Sequence, residues 1–158
     1  MLYALLKTLH LLSVIVWVGG MVFVLFFLRP ALAVLEVPKR LALMQAVLTR
    51  FFRAVMVAAG LSVLSGFWMM HRVAGQGAQI GVSSPMPVEW LVMAALGTLM
   101  VLIFGYVRVR CYPRLVAAVV AQDWPAGATA LASIRRWVML NLILGVVTVA
   151  ITQAGVVG

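Results

Sequence analysis

Four long apolar stretches dominate this chain, at residues 2–28, 51–71, 88–108 and 136–157. A bilayer-spanning helix needs about 20 consecutive apolar residues, because the hydrocarbon core is about 30 Å thick. Each stretch must satisfy its own backbone hydrogen bonds there, which favours helices. The 158 residues are 66% hydrophobic and 9% charged. A soluble domain of this length could not bury that much apolar surface away from water. We predict an all-α membrane protein in which residues 1–158 form a single domain, a four-transmembrane-helix bundle.

The basic residues are distributed unevenly along the chain, which carries a net charge of +9. Ten of the twelve Lys and Arg residues flank the segment between the first two stretches or the one between the last two; the exceptions are Lys7 and Arg72. Loops rich in Lys and Arg stay in the cytoplasm and contact anionic headgroups. We therefore expect basic cytoplasmic loops, both termini outside (N-out/C-out), and a bilayer with anionic headgroups as partner. No nucleic-acid partner is expected, because no basic face is interleaved with aromatic residues.

Three connecting segments carry local signals. Residues 30–50 alternate apolar and charged side chains at helical spacing, which predicts an interfacial helix or an extension of the second span. Residues 74–87 are rich in glycine, proline and serine, and are expected to be irregular. Asp123 precedes Pro125 in a turn and is expected to cap a short helix that begins near that proline.

Small and polar residues indicate which helix faces point inward, because lipid and bundle interior are equally apolar. The first stretch carries six such residues at spacings of three and four, and we expect them to face the interior: Tyr3, Lys7, His10, Ser13, Trp17 and Gly20. The fourth stretch carries a similar stripe, which favours helix packing: Asn141, Gly145, Thr148 and Thr152. In the second stretch His71 shares a face with Phe67, whereas Ser62, Ser65 and Met69 share another.

Titratable groups within a membrane are costly and are candidates for function. Four lie toward the same predicted periplasmic side: Lys7, His10, His71 and Glu89. If the two histidines face each other, they could bind one b-type haem iron axially or hold copper, with Met69, Met70 or Met86 as soft ligands. Glu89 could orient an imidazole, relay protons or complete the metal site. The alternatives are an interfacial His71, a solvated Glu89 at a helix start and an outward-reaching Lys7.

Catalytic residues are not expected, because the chain carries no nucleophile–base pair and no phosphate-binding loop. Met93 and Met100, at helical spacing, are interpreted as core residues rather than as a copper path. The protein is therefore expected to bind or move a ligand more than to act as an enzyme.

Several motifs resemble the copper-resistance D (CopD) membrane family. The opening helix is similar in Leu-Lys-Thr-Leu-His-Leu-Leu at 6–12 and Val-Trp-Val-Gly-Gly at 16–20. Further similarity follows in Arg-Phe-Phe-Arg at 50–53, Leu-Ser-Gly-Phe-Trp at 64–68, Tyr-Pro-Arg-Leu at 112–115, and Arg135-Arg136 followed by Asn141-Leu142 and Gly145. The resemblance implies a bacterial inner (cytoplasmic) membrane protein for copper uptake or tolerance, with His10 as the residue that carries over.

The resemblance implies a periplasmic copper protein as a partner, and a four-helix unit of this kind can also associate into a membrane oligomer. The first helix also resembles that of HemJ-type protoporphyrinogen oxidases, four-helix haem-binding proteins with a Leu-Lys-x-Leu-His opening. That family carries a lysine in its third helix, whereas no Lys or Arg lies between Glu89 and Val107 here. The alternative function is accordingly a b-type haem redox protein or a HemJ-like oxidase.

Overall fold

The computed structural model describes residues 1–79 and 87–157 of the chain. In these residues the helices are α1 (Leu2–Val22), α2 (Arg29–Ala31), α3 (Val37–Gln79), α4 (Val88–Tyr106), α5 (Tyr112–Val120) and α6 (Trp124–Val157). Two π-helical turns, Phe23–Leu28 and Val107–Cys111, follow α1 and α4 directly, and a 3₁₀ turn, Leu32–Val34, follows α2.

Within residues 1–79 and 87–157, four helical segments are long and apolar enough to cross a membrane: Leu2–Val34, Val37–Val73, Val88–Val120 and Trp124–Gln153. Each contains one of the four apolar stretches, or most of one, and extends beyond it at one end or both. The predicted four-helix membrane fold is confirmed, and the chain is a multi-pass membrane protein.

The helix α3 is much longer than a membrane crossing requires. Its 43 residues extend about 65 Å at 1.5 Å per residue, twice the hydrocarbon thickness. Residues 37–50 are thus an extension of the second span, not a separate interfacial helix. The prediction of irregular structure is wrong for residues 74–79, which continue α3, because glycine lowers helix propensity by about 1 kcal/mol without removing a hydrogen bond. Residues 80–86, including Met86, lie outside the described residues.

The turn between α5 and α6 has the predicted cap. Asp123 Oδ1 accepts a hydrogen bond from the backbone N–H of Ala126 at 3.0 Å, and the Asp123 N–H donates to the Ala118 carbonyl at 2.9 Å. Gln122, with φ of 56°, takes the left-handed conformation that ends α5. The helix after the cap is 34 residues long, however, rather than short.

The bundle consists of two helical hairpins, since α1 packs chiefly on α3 and α4 chiefly on α6. Each first helix ends in a π-helical turn that precedes a proline, Pro30 or Pro113. A proline lacks an N–H and its ring collides with the carbonyl four residues earlier, so the regular α-helical pattern cannot continue. The wider π-helical turn accommodates this break in both hairpins.

Packing differs between the two ends of the bundle. We call residues 23–53 and 107–137 the basic end, and residues 1–13, 62–79, 87–96 and 145–157 the His10 end. Among the described residues, the largest enclosed side chains all belong to the basic end or adjoin it: Phe52, Met21, Leu41, Leu48, Leu115, Ile134, Val55 and Val107. Phe52 joins the hairpins, with its ring centroid 5.8 Å from Phe104 and 5.3 Å from Tyr112.

Candidate metal site at the His10 end

His10 projects from α1 onto the backbone of α3. Its Nδ1 lies 3.0 Å from the Ser62 carbonyl oxygen and 3.1 Å from Ser65 Oγ. A carbonyl oxygen only accepts hydrogen bonds, so we assign the imidazole proton to Nδ1. The Ser65 hydroxyl donates its own proton to the Leu61 carbonyl and can therefore accept from the same Nδ1–H. The ring is held in one tautomer by the neighbouring helix.

This tautomer leaves the second ring nitrogen available. Nε2 of His10 carries a lone pair when Nδ1 is protonated, and in the described residues it has no hydrogen-bond partner. Metal-binding histidines commonly donate one N–H to a carbonyl and bind the ion with the other nitrogen. His10 has the first half of that arrangement.

A close approach of α1 to α3 makes this contact short. A Cβ atom at Gly66 would lie 3.4 Å from His10 Cε1, so the glycine lets the ring lie against the helix. Ser62 Oγ is enclosed and has no hydrogen-bond partner among the described residues. An unsatisfied hydroxyl beside the histidine is unusual in a folded interior, and it provides an additional polar atom at the same place.

Met69 continues the face of α3 that meets His10. It lies four residues beyond Ser65 and seven beyond Ser62, spacings that return to the same side of a helix, and its side chain is buried. Met70 is rotated away by about 100° and is half-buried. Of the two, Met69 is the thioether on the histidine side.

His71 points elsewhere. It lies nine residues after Ser62, which places it about 180° around α3. Its exposed ring stacks on Phe67, at 6.5 Å between centroids and 9° between planes, and Phe67 is 74% exposed. The structure therefore does not bring His10 and His71 together, and the pair does not form the two-histidine site considered from sequence.

The remaining sequence candidates are scattered. Glu89 is half-buried in the first turn of α4, where a carboxylate is favoured by the helix dipole. Lys7 and Tyr3 are exposed, so the prediction that the α1 stripe faces inward is wrong for its first two members. It is right for Ser13 and Trp17, which are 5% exposed each. In the described residues no three His, Cys, Asp or Glu side chains come close enough to hold a metal ion.

Sequence reasoning did not identify Ser62 and Ser65 as partners of His10. Their shared face with Met69 was visible as spacing, but the acceptor is a backbone carbonyl, and its availability depends on how the two helices meet. The signal in the sequence was that two serines share one face of the second stretch, while His10 lies in a polar stripe on the first.

Comparison with known protein families gives a match. A family model described as Copper resistance protein D matches residues 45–154, which is more than half of the chain. No curated protein and no solved structure matches the chain. The matched region contains Ser62, Ser65 and Met69 and begins after His10. The similarity to HemJ-type proteins is not shown, and a haem site finds no support. The match establishes that this chain belongs to the copper resistance protein D family of membrane proteins.

Proposed function

We propose that the protein handles copper at the periplasmic face of a bacterial inner membrane, with Nε2 of His10 as a ligand. The observation that carries this proposal is the hydrogen bond from His10 Nδ1 to the Ser62 carbonyl. It fixes the ring orientation and directs the lone pair to the other nitrogen before any ion arrives. A ligand that is oriented in advance loses less conformational entropy on binding.

The ligand chemistry favours Cu(I) over harder ions. An imidazole nitrogen and a thioether sulfur are soft or borderline donors that suit Cu(I), whereas Mg²⁺ and Ca²⁺ require oxygen ligands. Met69 supplies the sulfur from the buried face of α3 on which His10 lies. Two protein ligands make a site that releases its ion readily, as copper in transit requires. A periplasmic copper protein would deliver or accept the ion at this end.

The orientation of the bundle follows from its charges. Ten of the twelve Lys and Arg residues belong to the basic end, and positively charged loops remain in the cytoplasm. The His10 end then faces the periplasm, where the ion would enter or leave.

The test is a competition titration of detergent-purified protein against a chromophoric Cu(I) chelator. We expect His10→Ala to weaken Cu(I) binding by at least about tenfold, as loss of a ligand does. His71→Ala is the matched control, because it removes the other histidine from the same end, and it should leave the affinity unchanged. Equal affinities for the wild type and His10→Ala would refute the proposal.

A second pair of variants tests the thioether. Met69→Leu removes the sulfur while keeping a side chain of similar volume, and should weaken Cu(I) binding several-fold. Met70→Leu makes the same change one residue along and should have no effect. If both variants bind as the wild type does, Met69 is not a ligand and the assignment rests on His10 alone.

The copper content of expressing cells separates uptake from tolerance. A protein that admits copper raises cell copper relative to the His10→Ala variant, and a protein that removes copper lowers it. Identical copper contents at equal expression would argue against transport in either direction.

A further inference from the structure

A cavity of about 380 Å³ opens at the basic end, on the opposite side of the membrane from His10. Three segments that are distant in sequence form it: the chain from Val24 to Ala33, the start of α3, and the first turns of α6. Each contributes one arginine, namely Arg29, Arg40 and Arg135. A cavity of this size is within the range that holds a small molecule or part of a larger one.

The arginines have no acidic counterpart among the described residues. The one ion pair recorded there joins Lys39 to Glu36, and both side chains are largely exposed. The two other acidic residues of the chain are committed elsewhere, since Asp123 caps α6 and Glu89 lies at the His10 end. Three guanidinium groups around one cavity therefore leave a positive charge that an external anion can neutralise.

The rest of the lining is apolar. Leu41 and Leu48 are 1% exposed and Ile134 is 2% exposed, and all three line the cavity. The lining continues to Val24 on the first span and Val138 on the fourth, so the cavity extends from the charged surface toward the hydrocarbon. Its occupant must combine an anionic group with an apolar part.

We propose that this cavity binds one anionic phospholipid, with the phosphate among Arg29, Arg40 and Arg135 and an acyl chain along Val24 and Val138. Guanidinium groups bind phosphate through paired N–H donors, which makes arginine the usual residue for this purpose. Basic pockets between membrane helices are known to hold lipid headgroups. A free phosphate would leave the apolar walls uncovered. This site does not depend on the copper proposal, since it lies at the other end of the bundle.

The experiment is native mass spectrometry of the full chain in detergent, titrated with phosphatidylglycerol, phosphatidylcholine or inorganic phosphate. The test variant is R29Q/R40Q/R135Q. The matched control is R53Q/R110Q/R114Q, which removes the same charge from exposed arginines of the basic end that do not line the cavity. Ala132→Phe is an independent variant, because it fills the cavity and leaves every arginine in place.

We expect the wild type to retain one phosphatidylglycerol and to bind phosphatidylcholine about tenfold more weakly. The test variant should lose at least about tenfold in phosphatidylglycerol affinity, whereas the control should change by less than about threefold. Ala132→Phe should lose the bound lipid at unchanged charge. An equal loss in both arginine variants would overturn the proposal in favour of diffuse attraction to the membrane. It would also be overturned by displacement of the lipid by equimolar inorganic phosphate, or by full binding in Ala132→Phe.

Discussion

The two hairpins of this bundle share an order of elements but differ in where they place polar side chains and in which helices their hydrogen bonds join. His10 lies 20 residues before Pro30 in the first hairpin, and Met93 lies 20 residues before Pro113 in the second. Trp17 and Met100 correspond in the same way, and both are buried. The two first helices therefore present matching positions to the core, and the histidine occupies a place that the second hairpin fills with a thioether.

The partner helices differ as well. In the second hairpin, Gly145 of α6 lies against Met100 of α4. Because these helices are antiparallel, Thr152, seven residues after Gly145, is expected at the same level as Met93, seven residues before Met100. Thr152 donates its hydroxyl proton to the carbonyl of Thr148 within α6. In the first hairpin the corresponding hydrogen bond crosses from α1 to α3. One scaffold thus carries a polar contact within a single helix and a polar contact between two helices that fixes the orientation of the His10 ring.

The largest expected effect concerns the side chain that joins the hairpins. Phe52→Ala removes a ring that is 2% exposed and contacts both Phe104 and Tyr112, so it should lower the free energy of unfolding by about 3 kcal/mol. Phe27→Ala is the control, because that ring is 64% exposed to lipid. Denaturant unfolding in bicelles measures both. Similar losses would mean that Phe52 does not join the halves.

The second effect concerns one glycine of each hairpin that lies close to a neighbouring helix. A Cβ atom at Gly20 would lie 2.6 Å from Phe51 Cε2, so Gly20→Ala should destabilise the protein by about 1–3 kcal/mol. At Gly145 the nearest atoms are Val18 Cγ2 of α1 at 3.1 Å and Cε of the flexible Met100 at 3.2 Å, so Gly145→Ala should cost less. Gly19→Ala meets nothing within 4 Å and serves as the control. Thermal unfolding ranks the three. A larger loss of stability for Gly145→Ala than for Gly20→Ala would contradict the expected order.

The third effect concerns the turns of the hairpins. Asp123→Ala removes the cap of α6 and should cost about 1 kcal/mol. Glu36→Ala removes an exposed ion pair in the other turn and should have almost no effect. Denaturation midpoints of the two variants compare the turns directly. Equal midpoints would show that the Asp123 cap adds nothing.

The smallest effect concerns the crossing hydrogen bond itself. Ser65→Ala removes an interhelical acceptor and should cost about 0.6 kcal/mol, whereas Thr152→Ala removes a bond within one helix and should cost less. The ¹⁵N chemical shifts of His10 give a second measurement. In either variant the proton should remain on Nδ1, because the Ser62 carbonyl still accepts its hydrogen bond. A proton on Nε2 in the wild type would show that His10 does not donate a hydrogen bond from Nδ1 to α3, and would contradict this difference between the hairpins.

The fold was predictable because its determinants are local. Each span is a continuous apolar stretch, and the face of α1 that carries Ser13 and Trp17 follows from spacing alone. The cap at Asp123 follows from three neighbouring residues. The continuation of α3 through glycines was missed, because composition suggests turns even where no hydrogen bond is lost.

The site was predictable only in part. Periodicity places His71 on a different face of α3 from Ser62, Ser65 and Met69, but it does not show which of the two faces meets His10. The acceptor for His10 is a main-chain carbonyl that no residue type identifies. The arginine cavity depends on three segments converging in space, and the charges of those segments were interpreted from sequence only as a topology signal.

Each π-helical turn also sets how the segment that follows it is rotated about the helix axis relative to the helix before it. A π-helical turn holds about one residue more than an α-helical turn, so if Phe23–Leu28 adopted α-helical geometry with all its residues retained, everything that follows would rotate relative to α1 by about 100°. Arg29 would then leave its cavity, although no charge and no apolar surface had been removed. The alignment of the basic end with the rest of the bundle therefore depends on the wider turn, and a one-residue insertion or deletion in the regular helix before it should be far more harmful than a substitution there.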